Sequence, residues 1–368
     1  MSFYEYYSNY KNIEHEAFFK NLTEADILRT ISKSKISELE FLALLSPLAA
    51  NYLEDMARRA HQASLQHFGK TVLLYTPMYL ANHCTNHCSY CTFSVANNIS
   101  RHKLSLEEID KEAKTISATG LKHILVLTGE SRKDTPVSYI TEAVKILKKY
   151  FDSISIEIYP LTEEEYKQLI DAGVDGLTIY QEVYNEKIYD QVHISGPKKD
   201  YHFRLDAPER ACKAKIRSVN IGALLGLNDW RKEAFTTGLH ANYLQSTYMD
   251  VETSVSLPRL RPHKGSFEQV VHVSDKDLVQ IMLALKIFMP YLGITISTRE
   301  KQELRNHLIP LGVTKMSAGV STEVGGHSSC IDGDGQFEIS DTRSVDEIRD
   351  AIRERGFQPV FKNWMQIT

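Results

Sequence analysis

Residues 153–180 read SISIEIYPLTEEEYKQLIDAGVDGLTIY, and this stretch holds a whole strand–helix–strand unit. Ile154, Ile156 and Ile158 alternate with Ser155 and Glu157, the two-residue period of a strand whose faces meet different surroundings. Thr162 and Glu165 are spaced as a capping box that starts a helix, and Gly173 sits where that helix should stop. Gly176–Tyr180 is the next apolar, β-branched run. Strand, capped helix and strand in this order predict a parallel sheet of repeated β–α units.

The same punctuation extends outward in both directions. About eight runs qualify as strands: Val72–Tyr79, His123–Leu127, Ser153–Tyr159, Gly176–Tyr180, Ser218–Leu224, Val251–Leu257, Ile294–Ser297 and Val313–Ala318. They span roughly 250 residues, the usual length of a (β/α)8 barrel, so the expected fold is α/β, a closed or nearly closed TIM-type barrel. Ser105 with Glu108 is a second capping box, Gly120 a second stop, and Leu106, Ile109, Ala113 and Ile116 repeat at helical spacing. Three units are expected: an N-terminal helical extension over 1–70, the barrel over 71–319, and a tail over 320–368 that closes the barrel mouth and carries a helix near Val345–Glu354.

Composition narrows the class of function. The 368 residues are 42% hydrophobic and 24% charged with a formal net charge of -4, which argues against general disorder and offers no global attraction to nucleic acid or anionic membrane. The start Met-Ser-Phe-Tyr-Glu-Tyr-Tyr lacks a secretory pattern, and no apolar run approaches the ~18 residues of a membrane span. Five cysteines, three of them within Cys84–Cys91, make a poor disulfide framework and fit a reducing cytoplasm.

In such barrels chemistry gathers in the loops that leave the C-terminal strand ends. The polar motifs fall there: Cys84 follows the first run, Thr128-Gly129-Glu130 ends the second, Glu157 lies late in the third, and Gln181-Glu182 follows the fourth. Alternation turns Ser155 and Glu157 inward, where a carboxylate needs a polar partner or a ligand. Cys84-Thr-Asn-His-Cys88-Ser-Tyr-Cys91 puts three thiolates on one tight loop, enough to hold three irons of a cubane and leave the fourth open. A zinc site completed by His83 or His87, or three incidental buried thiols, are the alternatives.

With Tyr90 before its last cysteine, this motif resembles that of the radical S-adenosylmethionine (SAM) superfamily. The resemblance implies a radical SAM barrel with a [4Fe-4S] cluster held by Cys84, Cys88 and Cys91 and SAM on the open iron. It also implies a 5'-deoxyadenosyl radical, and a flavodoxin or ferredoxin type reductant. Thr128, Gly129 and Glu130 look like the strand end that receives the SAM amino group, and Tyr90 like the residue that lies against adenine. Glu157, Glu182 and Arg210 look like the residues directed at the SAM ribose, amino group and carboxylate. Arg210, in Asp206-Ala-Pro-Glu-Arg210, also reads as a solvated helix-start arginine. Gly222 and Gly226 are read as packing positions.

Leu45-Ser-Pro47, Gln181-Glu182, Ser254-Val-Ser-Leu-Pro-Arg-Leu-Arg-Pro262 and Ser297-Thr-Arg-Glu300 occur in one order along the chain. Together they resemble the radical SAM aromatic amino acid lyases, in the branch serving thiamine thiazole formation. That branch cleaves L-tyrosine between Cα and Cβ to 2-iminoacetate (dehydroglycine) and p-cresol, and hands the iminoacetate to thiazole synthase. Arg259, Arg261, Ser297 and Arg299 are the expected substrate residues, since arginine clamps a carboxylate with two hydrogen bonds. Surface ion pairs are the alternative, or, for Arg259 and Arg261 with His263 and Lys264, a phosphate or partner-binding patch. Only Cys212 and Cys330 remain, read as ordinary thiols, too few for the second cluster of biotin synthase or of the tyrosine lyase of hydrogenase maturation. Gly325-Gly-His-Ser-Ser-Cys330 is a possible lid. Tryptophan cleavage, deazaflavin synthesis and a zinc-stabilised interaction protein stay open as other readings, and hydrogen abstraction is open between the amino N–H and the phenol O–H.

Overall fold

The computed structural model describes residues 2–264, 271–328 and 334–365. Eight strands form its centre: β1 (Thr71–Ala81), β2 (His123–Thr128), β3 (Ser153–Glu157), β4 (Gly176–Glu182), β5 (Ser218–Ala223), β6 (Glu252–Ser256), β7 (Gly293–Ile296) and β8 (Lys315–Ser317). Each pairs in parallel with the next, and β8 returns to β1 in the register Leu73↔Lys315 to Tyr75↔Ser317, so the barrel is closed. All eight runs expected from sequence are these strands.

Alternation gives the barrel two unlike faces. Val72, Leu74, Ile154, Ile156, Val219 and Ile221 are buried, as are the helix residues Ile109, Ala113, Ile116, Ile140, Val144 and Leu169 that complete the outer core. In the helix Leu106–Ser117 the buried stripe starts at Ile109; Leu106 is exposed and Glu112 joins the stripe. The lumen is polar by contrast. There the Asn220 amide donates to Ser256 Oγ at 2.8 Å and its carbonyl accepts from Ser254 Oγ at 3.1 Å.

Helices between Phe3 and Phe68 brace one side of the barrel, and Leu53–Phe68 packs on the helix Asp275–Phe288. The Leu45–Pro47 segment is seated by Gln280, which donates to Leu44 O and Ser46 O at 2.9 and 2.8 Å. After β8 the chain crosses the mouth, forms the helix Val345–Glu354, and adds β9 (Gln358–Val360) beside Thr71–Leu73 of β1. Among the described residues no helix is long and apolar enough to cross a membrane.

Candidate active site

The loop after β1 carries the three cysteines and is built from side chains that satisfy its own backbone. Arg101 donates to Asn82 O, Phe93 O and Ser94 O at 2.7, 2.8 and 2.6 Å, drawing both ends of the loop together. Asn97 donates to Cys91 O and Thr92 O, each at 3.0 Å. His87 and Cys88 pair antiparallel with Ser195 and His193, which ties the loop to the chain after β4. Cys88 is buried while Cys84 and Cys91 are partly open. Burial, then the charge of Cys84, pushes Cys91 up to about 11; burial, opposed by Lys198, leaves Cys88 at about 12. Among the described residues no three His, Cys, Asp or Glu side chains converge as a single ion requires. A cubane asks for something else, one thiolate at each of three separate irons.

The end of β2 presses against this loop. A Cβ on Gly129 would stand 2.3 Å from His83 O and 3.2 Å from Cys84 Cβ, so only glycine admits the loop so close. Glu130 holds the loop from the other side: its carboxylate accepts from Asn86 Nδ2 at 2.7 Å and its carbonyl from Thr85 N at 2.8 Å. Thr128 Oγ1 is buried with no partner among the described residues. An orphaned hydroxyl at this point is one a polar ligand would satisfy.

Glu182 ends β4 at φ 69°, a left-handed conformation that bulges the strand and turns its carboxylate toward the mouth. It is buried, pairs with Lys198 Nζ at 2.7 Å, and lies 3.5 Å from Arg204 Nη2. Burial alone would raise its pKa, but Lys198 and Arg204 hold it below the usual carboxylate range. Tyr90 lies beside this pair. His193 Nδ1 bonds Tyr189 O at 2.8 Å, and burial pushes the His193 pKa down to about 2, so that nitrogen carries the ring's one proton. His193 Nε2 therefore accepts, and the Tyr90 hydroxyl donates to it at 2.7 Å. Tyr90 is fixed by that bond with its ring under Lys198.

Two cavities meet in the mouth. One reaches the cysteine loop through Tyr90, Cys91, Glu182, Lys198 and Arg261. The other runs down the lumen past Tyr75, Tyr79, Ser297 and Ser317. Glu157, Tyr180, Pro258, Arg299, Gln336 and Phe337 line both. Two residues after β8 reach these walls: Phe337 lies under the Arg299 guanidinium at 3.6 Å, and Gln336 accepts from the Tyr79 hydroxyl at 2.7 Å.

The four arginines expected at the site have different surroundings. Arg259 is committed to Glu300, to Asp275 at 2.8 Å and to Val273 O at 2.9 Å. Arg210 donates to Leu161 O and Phe203 O at 2.8 and 2.6 Å, and Arg204 stands beside Glu182 instead. Arg261 donates to Ser340 Oγ at 2.5 Å. The Arg299 guanidinium has no hydrogen-bond partner among the described residues; burial lowers its pKa, opposed by the neighbouring Tyr79, Tyr180 and Glu157 side chains. Of the expected lid, His327 and Ser328 give their backbone N–H groups to Glu112, while Ser329 and Cys330 lie outside the described residues.

Residues 78–237 match the Radical SAM superfamily and residues 256–358 the Biotin and Thiamin Synthesis associated domain. The chain is 38% identical over 343 residues to 2-iminoacetate synthase of Salmonella typhimurium, covering 93% of this chain and 91% of that protein. The chain belongs to the 2-iminoacetate synthase family. The Escherichia coli 2-iminoacetate synthase is 37% identical over the same shares. Among solved structures, HydG, a maturase of the [FeFe]-hydrogenase, superposes with a TM-score of 0.90 at 31% identity, covering 96% of this chain and 80% of that one.

As a 2-iminoacetate synthase family member the chain is a radical SAM lyase that uses a [4Fe-4S] cluster and SAM. The donor set fits: three cysteines on one braced loop, a glycine that lets the next strand approach it, and an orphaned hydroxyl beside them. Sequence reasoning missed Arg101, Asn82, Asn86 and Asn97, which brace that loop. It also missed Lys198 and Arg204, which pair with Glu182, and Gln336 and Phe337, which line both cavities. One signal was available, the run of asparagines and an arginine on either side of the cysteines, because these side chains satisfy backbone in irregular loops.

Proposed function

We propose that the two compartments divide the reaction, with SAM beside the cluster loop and L-tyrosine in the lumen. The overall activity is that of the family: cleavage of the tyrosine Cα–Cβ bond to 2-iminoacetate and p-cresol. When bound, the cluster and SAM supply a 5'-deoxyadenosyl radical that takes a hydrogen atom from the substrate. Cys84, Cys88 and Cys91 hold the cluster, while Thr128, Gly129, Glu130, Glu182 and Tyr90 form the SAM cradle; Glu157, which the resemblance directs at SAM, also lines the lumen and is assigned to the substrate. The role that sequence assigned to Arg210 passes to Arg204, since Arg210 spends its donors on backbone carbonyls.

Arg299 binds the substrate carboxylate, with Ser297 and Arg261 at its margins; Arg259 holds Glu300. The observation that carries this reading is the Arg299 guanidinium, half-buried on the wall common to both compartments and unclaimed by any described carboxylate. Phe337 and Gln336 exclude water above it. We assign residues 1–70 to bracing, 71–319 to the barrel and 320–368 to the closure. The protein is placed in the cytoplasm with a flavodoxin or ferredoxin type reductant and thiazole synthase as partners. Anaerobic incubation of the reconstituted enzyme with SAM, reductant and L-tyrosine should yield p-cresol and glyoxylate, the hydrolysis product of iminoacetate. Turnover of tryptophan without p-cresol from tyrosine overturns the reading.

A further inference from the structure

Two carboxylates enter the barrel mouth, and their surroundings drive them apart, a pattern that marks acid–base assignments. Glu182 is ion-paired. The Glu157 carboxylate, at the end of β3, accepts no hydrogen bond from any described residue; burial, then the charge of Glu182, pushes it up to about 7 against Arg299, Arg204 and Lys198. Those four groups face it from the loops after β4 and β7. Tyr75 and Tyr79 face it from β1 and Tyr180 from β4, their phenols kept neutral by burial and by the Glu157 charge itself.

Glu157 and Arg299 line the same two compartments, and each feels the other's charge. An amino acid carries two opposite charges one carbon apart. With its carboxylate on Arg299, its ammonium has Glu157 as the unpaired anion within the same walls. Resting on the tyrosine reading above, we infer that Glu157 receives the substrate ammonium and takes one proton from it. The step balances: R–NH3+ and the Glu157 carboxylate become R–NH2 and the neutral carboxylic acid, one N–H bond breaking and one O–H bond forming, with no change of oxidation state. The proton passed to Glu157 leaves an uncharged amine and an uncharged acid in the half-buried mouth in place of an ion pair that would have to stay desolvated.

The test uses the cluster- and SAM-loaded enzyme without reductant. Calorimetry compares L-tyrosine with 3-(4-hydroxyphenyl)propanoate, which lacks the amine, and with tyramine, which lacks the carboxylate. Glu157→Gln should cut the preference for tyrosine over the propanoate by about 10–100-fold, the worth of a charge-assisted hydrogen bond, and leave the preference over tyramine intact. With reductant added, wild-type p-cresol formation should rise with pH through about 7 as Glu157 ionises. Glu157→Gln should lose that limb, and Glu157→Asp should restore part of it. An unchanged tyrosine-to-propanoate ratio in Glu157→Gln overturns the inference, as does a Glu157→Gln enzyme whose defect is loss of SAM binding in the absence of tyrosine. If the wild-type enzyme itself neither binds tyrosine nor forms p-cresol, the substrate reading fails and takes this inference with it.

Discussion

Gly129→Ala tests whether the cluster loop and the end of β2 form one cradle. Gly129 has no left-handed φ, so alanine meets no backbone penalty, and any defect comes from contact. The new Cβ would lie 2.3 Å from His83 O and 2.9 Å from the carbon of the same carbonyl. Non-bonded carbon contacts settle near ~3.5 Å, so one backbone must give by about 1 Å. Both are backbone, and no side chain can swing aside. Overpacking of this kind costs about 1–3 kcal/mol of stability, enough to lower Tm by a few degrees without unfolding a barrel whose core lies elsewhere. Displacing a reacting group by about 1 Å can cost ~100-fold in rate, so SAM cleavage should fall on the order of 100-fold. The assay is 5'-deoxyadenosine formation by the anaerobically reconstituted enzyme, with iron and sulfide content and the apo-protein's far-UV circular dichroism measured in parallel. Wild-type cluster content together with cleavage within about two-fold of wild type would refute the cradle.

Cys88→Ala should abolish cluster assembly and 5'-deoxyadenosine formation while far-UV circular dichroism stays unchanged; retained SAM cleavage counts against the three-cysteine site. Arg259→Gln strands Glu300, whose side chain is 3% exposed, and should cost about 3–5 kcal/mol, read as a fall in Tm. Arg299→Gln breaks no ion pair and should leave Tm unchanged or raised while weakening tyrosine binding about 10–100-fold in calorimetry; the opposite pattern in these two variants exchanges the arginines' roles. Lys286 is fully buried, donates to Leu292 O at 2.7 Å, and is pushed by burial from 10.5 down to about 7. The unfolded chain therefore binds more protons than the folded one between about pH 7 and 10.5, so wild-type stability should rise with pH across that window. Lys286→Met should flatten the rise and add on the order of 1–4 kcal/mol at neutral pH, measured by denaturant unfolding at several pH values.

Much of the fold was legible because its signals are local. A two-residue alternation, a capping box and a stop glycine recur within each unit, and each depends on neighbours a few positions away. The cysteine spacing is local in the same way. The braces of the cysteine loop were less legible, since Arg101 and Asn97 read as ordinary loop residues until the carbonyls they bond are known. Lys198 and Arg204 were overlooked for a related reason: the bulge at Glu182 turns that carboxylate toward two cations that the sequence lists among several others. Arg210, six residues from Arg204 and equally basic, spends its donors on two carbonyls instead.

Strand phase and the cysteine motif can be read along one dimension because periodicity and spacing are properties of the chain itself. Which charged group is paired and which is free is decided by what arrives from elsewhere. Arg259 and Arg299 stand at neighbouring strand ends, yet closure of the barrel brings Glu300 to the first and Phe337 to the second. A buried charge takes its chemistry from its nearest partners. Here those partners lie about 40 residues away along the chain, and only the folded barrel brings them within reach.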